Sequence, residues 1–469
     1  MAAPPTLTQK DFNKWTKDID RARINIGTVT HIASLTKSFT AAGVAELVSE
    51  GKADWVTPVS KYLPEFQLKD PRLTAELTFI DLLSHRTGYP LLDWDWYHRP
   101  ESALDLIKLM RYIDPINPLR TKWVYDNAMY GVAGEASARI AGTSWEEFIR
   151  DKFLVPLGMK SSGFSVKTML TRPNHALPYG SKSFEAAQRG EIDRLVPDET
   201  PYRDAPAGDI FSNVIDLAKW AKVIMHQGKL DGKQVLHKKT VEAITRGWSI
   251  ITGVPREPEF SINLYGLGWN LEHYKGHRSV QHDGIIVAYR SGITMFPDDD
   301  LAVVVLSNVL DNDLAHWLPY YIADHVFGVP KTQDWLFEKA VEAARNSYAL
   351  KTPAALESFF PLLVKNKPPT RKLEDFVGDF SHPYGHSLSV TVKAGKNGKK
   401  PSLVFKFSNY VGTLEHYHYD SFRARLVYPA VTMHHLLTFV TSADGSVRDV
   451  RVLSSADTRV YSKKTSLPK

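Results

Sequence analysis

A serine and a lysine three positions apart, in Ser34-Leu35-Thr36-Lys37, form the sharpest chemical feature of the sequence. On a helix, positions i and i+3 share one face, so the Lys37 amine can lie beside the Ser34 hydroxyl. A desolvated lysine can act as the base that makes a serine nucleophilic, and a helix N-terminus stabilises developing negative charge. The same spacing also fits a helix N-cap followed by a surface lysine, so this motif alone does not establish a catalytic site.

Two later motifs add polar groups that could act with this pair. Tyr125-Asp126-Asn127 opens a predicted helix, and its alternative interpretation is a helix cap with aromatic packing. His282-Asp283-Gly284 ends a predicted strand, where a glycine would let a substrate run close to the backbone. The alternative for this motif is a β-turn with a lone histidine.

In this order and with their neighbours, the three motifs resemble the serine β-lactamase and penicillin-binding-protein superfamily. The resemblance is closest to the branch of class C β-lactamases, D-aminopeptidases and esterases, which uses Tyr-x-Asn and a His-x-Gly or Lys-Thr-Gly strand. It covers residues 28–310 and includes the segments HIASLTKSFTA, LTFIDLLSHRTGYP, VYDNAMYGVAGEASARIAGTSWEEFI and PAGDIFSNVIDLAKW. It implies an α+β fold with a β-lactamase/transpeptidase-like antiparallel sheet and a helical domain.

The resemblance also implies a role for each motif residue. Ser34 is the acylated nucleophile, Lys37 is its first proton acceptor, and Tyr125 is the partner base that relays a proton to the leaving group. This mechanism needs no metal and no other cofactor. Substrate binding is assigned to Asn127, which orients Lys37 and a substrate amide, to His282 and Gly284 along the substrate strand, and to the backbone N–H groups of Ser34 and Ile285 as the oxyanion hole.

Hydrophobic periodicity predicts the elements that must position these residues. We expect three strands near the third motif, at 278–283, 287–297 and 301–308, and the turn cluster at 297–300 makes the last two an antiparallel hairpin. The sequence therefore predicts a helical block beside an antiparallel sheet. The predicted helices of this block lie at 9–20, 34–52, 101–112, 126–141 and 213–227.

The last third of the chain has a different pattern. A helical stretch at 335–366 ends before Pro368 and Pro369, and proline disfavours helix in the residue that precedes it. Short alternating segments then predict a small antiparallel β-barrel or sandwich, similar to the lipocalin-like domains that some members of this branch carry. We expect a hydrolase domain at 1–334, a helical linker at 335–368 and a barrel domain at 369–469. The predicted strands of the barrel are 388–392, 403–407, 422–428, 436–440 and 447–453.

The region before Ser34 is short for this superfamily. Only residues 21–29 separate the predicted first helix from the HIAS segment, which leaves no room for the two-stranded hairpin that other members place there. We therefore expect the outer edge of the 301–308 strand to be exposed, and pairing through that edge would give a homodimer. A domain without its hairpin could also be catalytically impaired.

Composition excludes several other classes of protein. The 469 residues contain no cysteine, which rules out disulfide scaffolds and thiolate chemistry. No apolar run approaches the roughly 20 residues of a membrane span. Residues 371–469 carry 15 Lys and Arg against 8 Asp and Glu, but without interleaved aromatic residues we expect a solvated hairpin tip rather than a nucleic-acid surface. The basic residues of that tip are Lys393, Lys396, Lys399 and Lys400.

The function predicted from these features is a cytoplasmic serine hydrolase or acyltransferase that acts on a small acyl substrate, with no nucleic-acid or membrane partner. The substrate could be an ester, an amide, a β-lactam or a thioester. The alternative is a catalytically impaired binding or assembly protein. Two secondary hypotheses concern a metal site at His416 and His418, for which simple packing is the competing explanation, and an aromatic-lined pocket, for which ordinary packing competes equally. The candidate pocket residues are Trp94, Trp96, Tyr97, Tyr179 and Tyr202.

Overall fold

A computed structural model describes most of the chain from residue 24 to residue 463. The predicted helix at 9–20, Trp94, Tyr97, Lys396 and Lys399 lie outside the described residues. The described ranges are 24–92, 96, 99, 101–200, 202–350, 360–361, 363–384, 387–395, 400–407, 410–427, 432–453 and 458–463.

The helical block contains the predicted helices with small changes at their ends. The Ser-x-x-Lys segment begins as a 3-10 turn, Ala33–Leu35, and continues as a long helix. The α-helices are α1 (Thr36–Ser49), α2 (Val59–Tyr62), α3 (Pro71–Glu76), α4 (Phe79–Leu83), α5 (Ala103–Leu109), α6 (Asn127–Ala141), α7 (Trp145–Ile149), α8 (Val166–Met169), α9 (Phe184–Gln188), α10 (Ala205–Gly208), α11 (Val214–Met225), α12 (Lys238–Ile244), α13 (Leu314–Phe327) and α14 (Val341–Leu350).

Local capping explains where the long helices start and stop. The Asp126 side chain accepts a hydrogen bond from the Ala128 N–H and begins α6, and Asn213 does the same for α11 through the Asp216 N–H. Gly142 ends α6 in the left-handed region with φ 74°. Of the helix predicted at 335–366, Trp335–Ala340 forms a π-helical turn and residues 341–350 form α14. Residues 360–361 and 363–366 are not helical, and residues 351–359 lie outside the described part.

The strands of the first 330 residues form one larger antiparallel sheet and several small ones. Among the described strands, the larger sheet has the order β13-β12-β11-β10-β9-β8. β12 and β13 are the predicted hairpin, in which Ile293 pairs with Val304. The strands are β1 (Thr30–His31), β2 (Gly163–Phe164), β3 (Tyr179–Gly180), β4 (Asp193–Arg194), β5 (Ile210–Ser212), β6 (Lys229–Leu230), β7 (Lys233–Gln234), β8 (Ser249–Thr252), β9 (Asn263–Tyr265), β10 (Asn270–Tyr274), β11 (His277–Ile286), β12 (Tyr289–Phe296) and β13 (Leu301–Ser307).

Three strands of this sheet are absent from the prediction. β8, β9 and β10 are short, and the sequence NLEHY of β10 has too few apolar residues for a clear alternation. β10 forms because β11 supplies a long partner, with Leu271 of β10 paired to Val280. β9 then pairs with β10, and β8 pairs with β9. At the opposite side of the sheet, β13 is the terminal strand, and no other described strand pairs with its outer edge.

The C-terminal region is a closed antiparallel barrel, one of the two architectures predicted for it. Pairing of β14 with the last strand closes it, at Phe380 and Lys463. Its interior holds Phe380, Phe405 and Phe439 among other apolar side chains. The strands are β14 (Gly378–Ser381), β15 (Ser387–Lys393), β16 (Ser402–Phe407), β17 (Tyr410–His418), β18 (Ser421–Val427), β19 (Thr432–Thr441), β20 (Val447–Leu453) and β21 (Thr458–Lys463).

Among the described residues, a buried aromatic side chain joins the barrel to the helical block. Tyr384, which follows β14, is fully buried and belongs to the large core of the helical block and main sheet. Its hydroxyl accepts a hydrogen bond of 2.7 Å from the Trp96 Nε1–H. Trp96 in turn packs on α6, where a Cβ added to Gly131 would lie 2.9 Å from the indole ring. The barrel is therefore joined to the helix that follows the Tyr125-Asp126-Asn127 motif.

Candidate active site

Ser34 and Lys37 are held together by the turn that opens α1. The Lys37 side chain is fully buried, so it is not the surface lysine of the alternative interpretation. Its Nζ lies 3.0 Å from the Ser34 Oγ and donates a second hydrogen bond of 2.9 Å to the Ala207 carbonyl. Ala33, just before the serine, has a φ of 47°, a strained value for a residue with a Cβ. The Ala33 N–H donates to His31 Nδ1 at 3.1 Å, which fixes this turn.

Aromatic rings enclose the Lys37 amine. Its Nζ lies 4.7 Å from the centre of the Tyr125 ring and 5.4 Å from that of Tyr130, distances at which the ring faces attract a cation. The Tyr130 hydroxyl donates to the Leu83 carbonyl at 2.6 Å, which fixes the ring behind the site. The amine, the serine hydroxyl and the Tyr125 ring therefore share one small region.

His85 sets the position of the Tyr125 motif from behind. Its Nδ1 accepts a hydrogen bond of 3.1 Å from the Asp126 N–H, and its ring centre lies 4.4 Å from that of Tyr125. Burial, with the charge of Lys37 nearby, lowers the pKa of His85 well below its usual value, so the ring stays neutral. His85 belongs to the quoted LLSHRTG segment, but sequence reasoning gave it no role.

His282 is fixed in one tautomer by its two neighbours. A backbone carbonyl can only accept a hydrogen bond, so the His282 Nδ1, 2.6 Å from the Asp283 carbonyl, carries the proton and donates it. The His282 Nε2 is then unprotonated and accepts a hydrogen bond of 2.9 Å from the Tyr265 hydroxyl. Burial lowers the pKa of His282 to about 4, against the opposing influence of the Asp283 charge. The third motif therefore presents a neutral imidazole. Sequence reasoning missed Tyr265 as a site residue, although it begins the segment YGLGWN at 265–270, a few residues before β11.

Gly284 lets β11 lie directly against the turn that carries Ser34. A Cβ built at this position would be 2.2 Å from the Ile32 carbonyl oxygen and 3.0 Å from the Ser34 nitrogen. On the adjacent strand, the Ser291 hydroxyl donates to the same Ile32 carbonyl at 2.6 Å. The side chain of the next residue, Ile285, is 52% exposed.

These elements enclose a cavity of about 330 Å³. Ser34, Tyr125, Asn127, His282 and Ile285 line it, while Lys37 and Gly284 lie behind its wall. Of the candidate aromatic residues, Tyr202 lines the cavity, whereas Trp96 is buried and Tyr179 is in β3, both outside the lining. The other lining residues are Ala33, Trp123, Asp204, Ala207, Gly208, Tyr265, Asn270, Asp283 and Ile286.

The structure gives no group of three or more potential metal ligands within the residues that it describes. At the histidine pair of the barrel, His416 Nε2 lies 2.9 Å from the Tyr419 carbonyl, and His418 Nδ1 accepts from the Val364 N–H at 3.1 Å. Both histidines thus contact backbone groups. Across the described ranges, every helix is too short or too polar to span a lipid bilayer.

Comparison with known proteins places this chain in a family. A model described as Beta-lactamase matches residues 12–327, and one described as Domain of unknown function (DUF3471) matches residues 363–465. The chain is 28% identical over 400 residues to Unguisins hydrolase ungD' of Aspergillus campestris, which covers 80% of this chain and 72% of that protein. It is 24% identical over 294 residues to Penicillin-binding protein 4 of Amycolatopsis lactamdurans, covering 61% and 73% of the two chains.

Solved structures share the fold. An octameric penicillin-binding protein homologue from Pyrococcus abyssi has a TM-score of 0.55 at 21% identity, with 92% of this chain and 88% of that chain covered. A D-stereospecific amidohydrolase from Streptomyces has a TM-score of 0.52 at 21% identity, with 65% and 88% covered. The three motifs that form the cavity all lie inside the segment matched by the family model. The chain therefore belongs to the beta-lactamase family.

Proposed function

We propose that this protein is a serine hydrolase that forms an acyl-enzyme at Ser34. The observation that carries the proposal is the 3.0 Å contact between the Lys37 Nζ and the Ser34 Oγ at the floor of a cavity, with the lysine fully buried. A lysine in its neutral form reverses this contact and accepts the hydroxyl proton.

In the first step, the Ser34 Oγ bonds to the substrate carbonyl carbon while its proton passes to the Lys37 Nζ. The carbonyl oxygen becomes an oxyanion, which the backbone N–H groups of Ser34 and Ile285 would stabilise. The bond between the carbonyl carbon and the leaving group then breaks, and Tyr125 relays the proton held by Lys37 to the leaving group. A water molecule repeats the sequence, releases the acid and restores the Ser34 hydroxyl.

The remaining motif residues would bind the substrate. Asn127 begins α6 at the cavity wall, where its amide can orient both Lys37 and a substrate amide. His282 and Gly284 would form the strand along which the substrate lies. We assign this chemistry to residues 1–334 and regard the barrel, residues 369–469, as a separate domain joined by the helical linker at 335–368.

For the scissile bond we favour an amide. Two similar proteins are named as hydrolases, Unguisins hydrolase ungD' and the D-stereospecific amidohydrolase, and the second name specifies an amide substrate. A neutral His282 is also consistent with a substrate that has no carboxylate at that position. Esters, β-lactams and thioesters belong in the same screen because they share the acyl-enzyme intermediate.

The test is intact-mass analysis after incubation with a fluorophosphonate and, separately, with a penicillin. We expect a stable adduct on the wild-type protein and none on Ser34→Ala. Ser38→Ala is the matched control, since Ser38 lies on the same helix but donates its hydroxyl to the Leu35 carbonyl. Absence of an adduct on wild-type protein that circular dichroism shows to be folded would refute the proposal and favour a catalytically impaired binding or assembly protein.

A further inference from the structure

Asp283 places a carboxylate on the wall of the candidate active site. It lies in β11 between His282 and Gly284, lines the cavity, and is half-buried. Its partner across the ladder is Gly292, which offers no side chain to cover it. Within the described residues, its side chain forms no hydrogen bond and no ion pair, unlike Asp81, which binds two arginines. A charged group left uncommitted on a cavity wall is available to a ligand.

The rest of the cavity lining carries no positive side chain to neutralise this charge. Among the described residues that line it, none is lysine or arginine, and Asp204 adds a second acidic side chain. Lys37 lies beneath the floor, where its amine is bonded to Ser34 and Ala207. His282 is neutral because burial lowers its pKa to about 4.

On the neighbouring strand β12, Arg290 pairs with Ile285 of β11 and is within electrostatic range of Asp283. It does not line the cavity, and its charge is shared with two further acidic residues, Asp311 and Asp313, as well as with Asp283. Among the described lining residues, the cavity wall therefore carries acidic but no basic side chains. Four aromatic residues also line this space: Trp123, Tyr125, Tyr202 and Tyr265.

We infer that Asp283 determines charge specificity at this site, favouring substrates with an ammonium or other cationic group near the scissile carbonyl and disfavouring those with a carboxylate there. This inference rests on the proposed function and specifies its substrate class. Attraction of the cation to the carboxylate and to the aromatic side chains that line the cavity adds to binding, while a substrate carboxylate is repelled. A substrate with a free carboxylate beside the scissile bond, such as a penicillin, should therefore acylate Ser34 more slowly than an uncharged one, although it can still form the adduct.

The experiment compares two 4-nitrophenyl esters of equal length, one ending in a trimethylammonium group and the other in a carboxylate. For wild-type protein we expect kcat/KM to be at least about 30-fold higher for the cationic ester, an effect typical of one close charge contact. Asp283→Asn should reduce this ratio to about threefold or less, whereas Asp283→Glu should retain the preference. Asp298→Asn, which removes an acidic residue from the distant β12–β13 turn, should retain the wild-type ratio.

A binding measurement separates this inference from the proposed function. Ser34→Ala protein, which cannot be acylated, is titrated calorimetrically with phenyltrimethylammonium and with benzoate, alone and combined with Asp283→Asn. Tighter binding of the cation that disappears with Asp283→Asn supports the inference even if no turnover is detected. An equal or reversed preference, or one that Asp283→Asn leaves unchanged, overturns it, while labelling of Ser34 by a fluorophosphonate would leave the proposed hydrolase intact.

Discussion

Replacing Gly284 with alanine should disrupt the active site and destabilise the domain at the same time. The added Cβ would lie 2.2 Å from the Ile32 carbonyl oxygen, 2.6 Å from the Ser291 Oγ and 3.0 Å from the Ser34 nitrogen. The first of these atoms belongs to the backbone of the turn that carries the serine, so no side-chain rotation can relieve the contact. Either β11 or the turn must move.

The size of the effect follows from these distances. Restoring an ordinary contact with the Ile32 oxygen requires a shift of about 1 Å, and misplacement of a reacting group by that amount can lower a rate about 100-fold. Inserting a methyl group into a packed interior costs about 1–3 kcal/mol. Loss of the hydrogen bond from Ser291 to Ile32 would add about 1 kcal/mol. We therefore expect the free energy of unfolding to fall by about 2–4 kcal/mol.

Two assays read these effects separately. Urea denaturation reports stability, and the rate of fluorophosphonate labelling at Ser34, measured below the unfolding transition, reports the geometry of the nucleophile. Gly253→Ala is the matched control, because nothing lies within 4 Å of a Cβ at that position. Adding Ser291→Ala to Gly284→Ala should not restore labelling, since the clash with Ile32 remains. Wild-type stability and labelling in Gly284→Ala would refute this account of the contact.

The remaining predictions concern a base, a titration and a domain contact. Lys37→Met should slow labelling of Ser34 by about 100- to 10,000-fold, with the exposed Lys52→Met as control, and an unchanged rate would exclude Lys37 as the base. The pKa of His282 is lowered to about 4 in the folded protein, whereas in the unfolded chain it is about 6.5. As the pH falls, the unfolded chain therefore takes up a proton before the folded protein does. The contribution of His282 to the free energy of unfolding should be complete above about pH 6.5 and should be lost towards pH 4. His282→Asn should flatten that part of the urea-midpoint profile, and an unchanged slope would contradict the assignment. Tyr384→Phe should cost about 1–3 kcal/mol by leaving the buried Trp96 N–H without its acceptor, and an unchanged urea midpoint would show that this contact is not needed.

Periodicity predicted the elements that have a strong pattern of their own. The helix at Thr36–Ser49 and the hairpin of β12 and β13 follow from apolar spacing and from a turn cluster. The barrel strands with clear alternation were predicted, whereas Gly378–Ser381, Tyr410–His418 and Thr458–Lys463 were not. These three are short or interrupted by polar residues, and they become strands because the closing ladder gives them partners on both sides.

The supporting residues of the site could not be predicted in the same way. His85, Tyr265 and Asp283 were all present in the quoted or adjoining sequence, yet their types alone indicate nothing about their partners. His85 contacts the Asp126 backbone 41 positions later, and Tyr265 contacts His282 across 17. Such contacts depend on how strands and loops pack, which no local spacing encodes.

The resemblance of the three motifs, in their order, indicated the family, and the sequence by itself determined that Ser34 and Lys37 can meet. The reason is that the geometry of a helix fixes which residues three positions apart can meet. Only the tertiary structure decided that Lys37 is buried, that His282 is neutral, and that Asp283 lines the cavity with no hydrogen-bond or ion-pair partner among the described residues. Those properties arise where β11 and β12 meet the turn at Ser34, a contact between Ile32 and Ser291 across 259 positions of the chain.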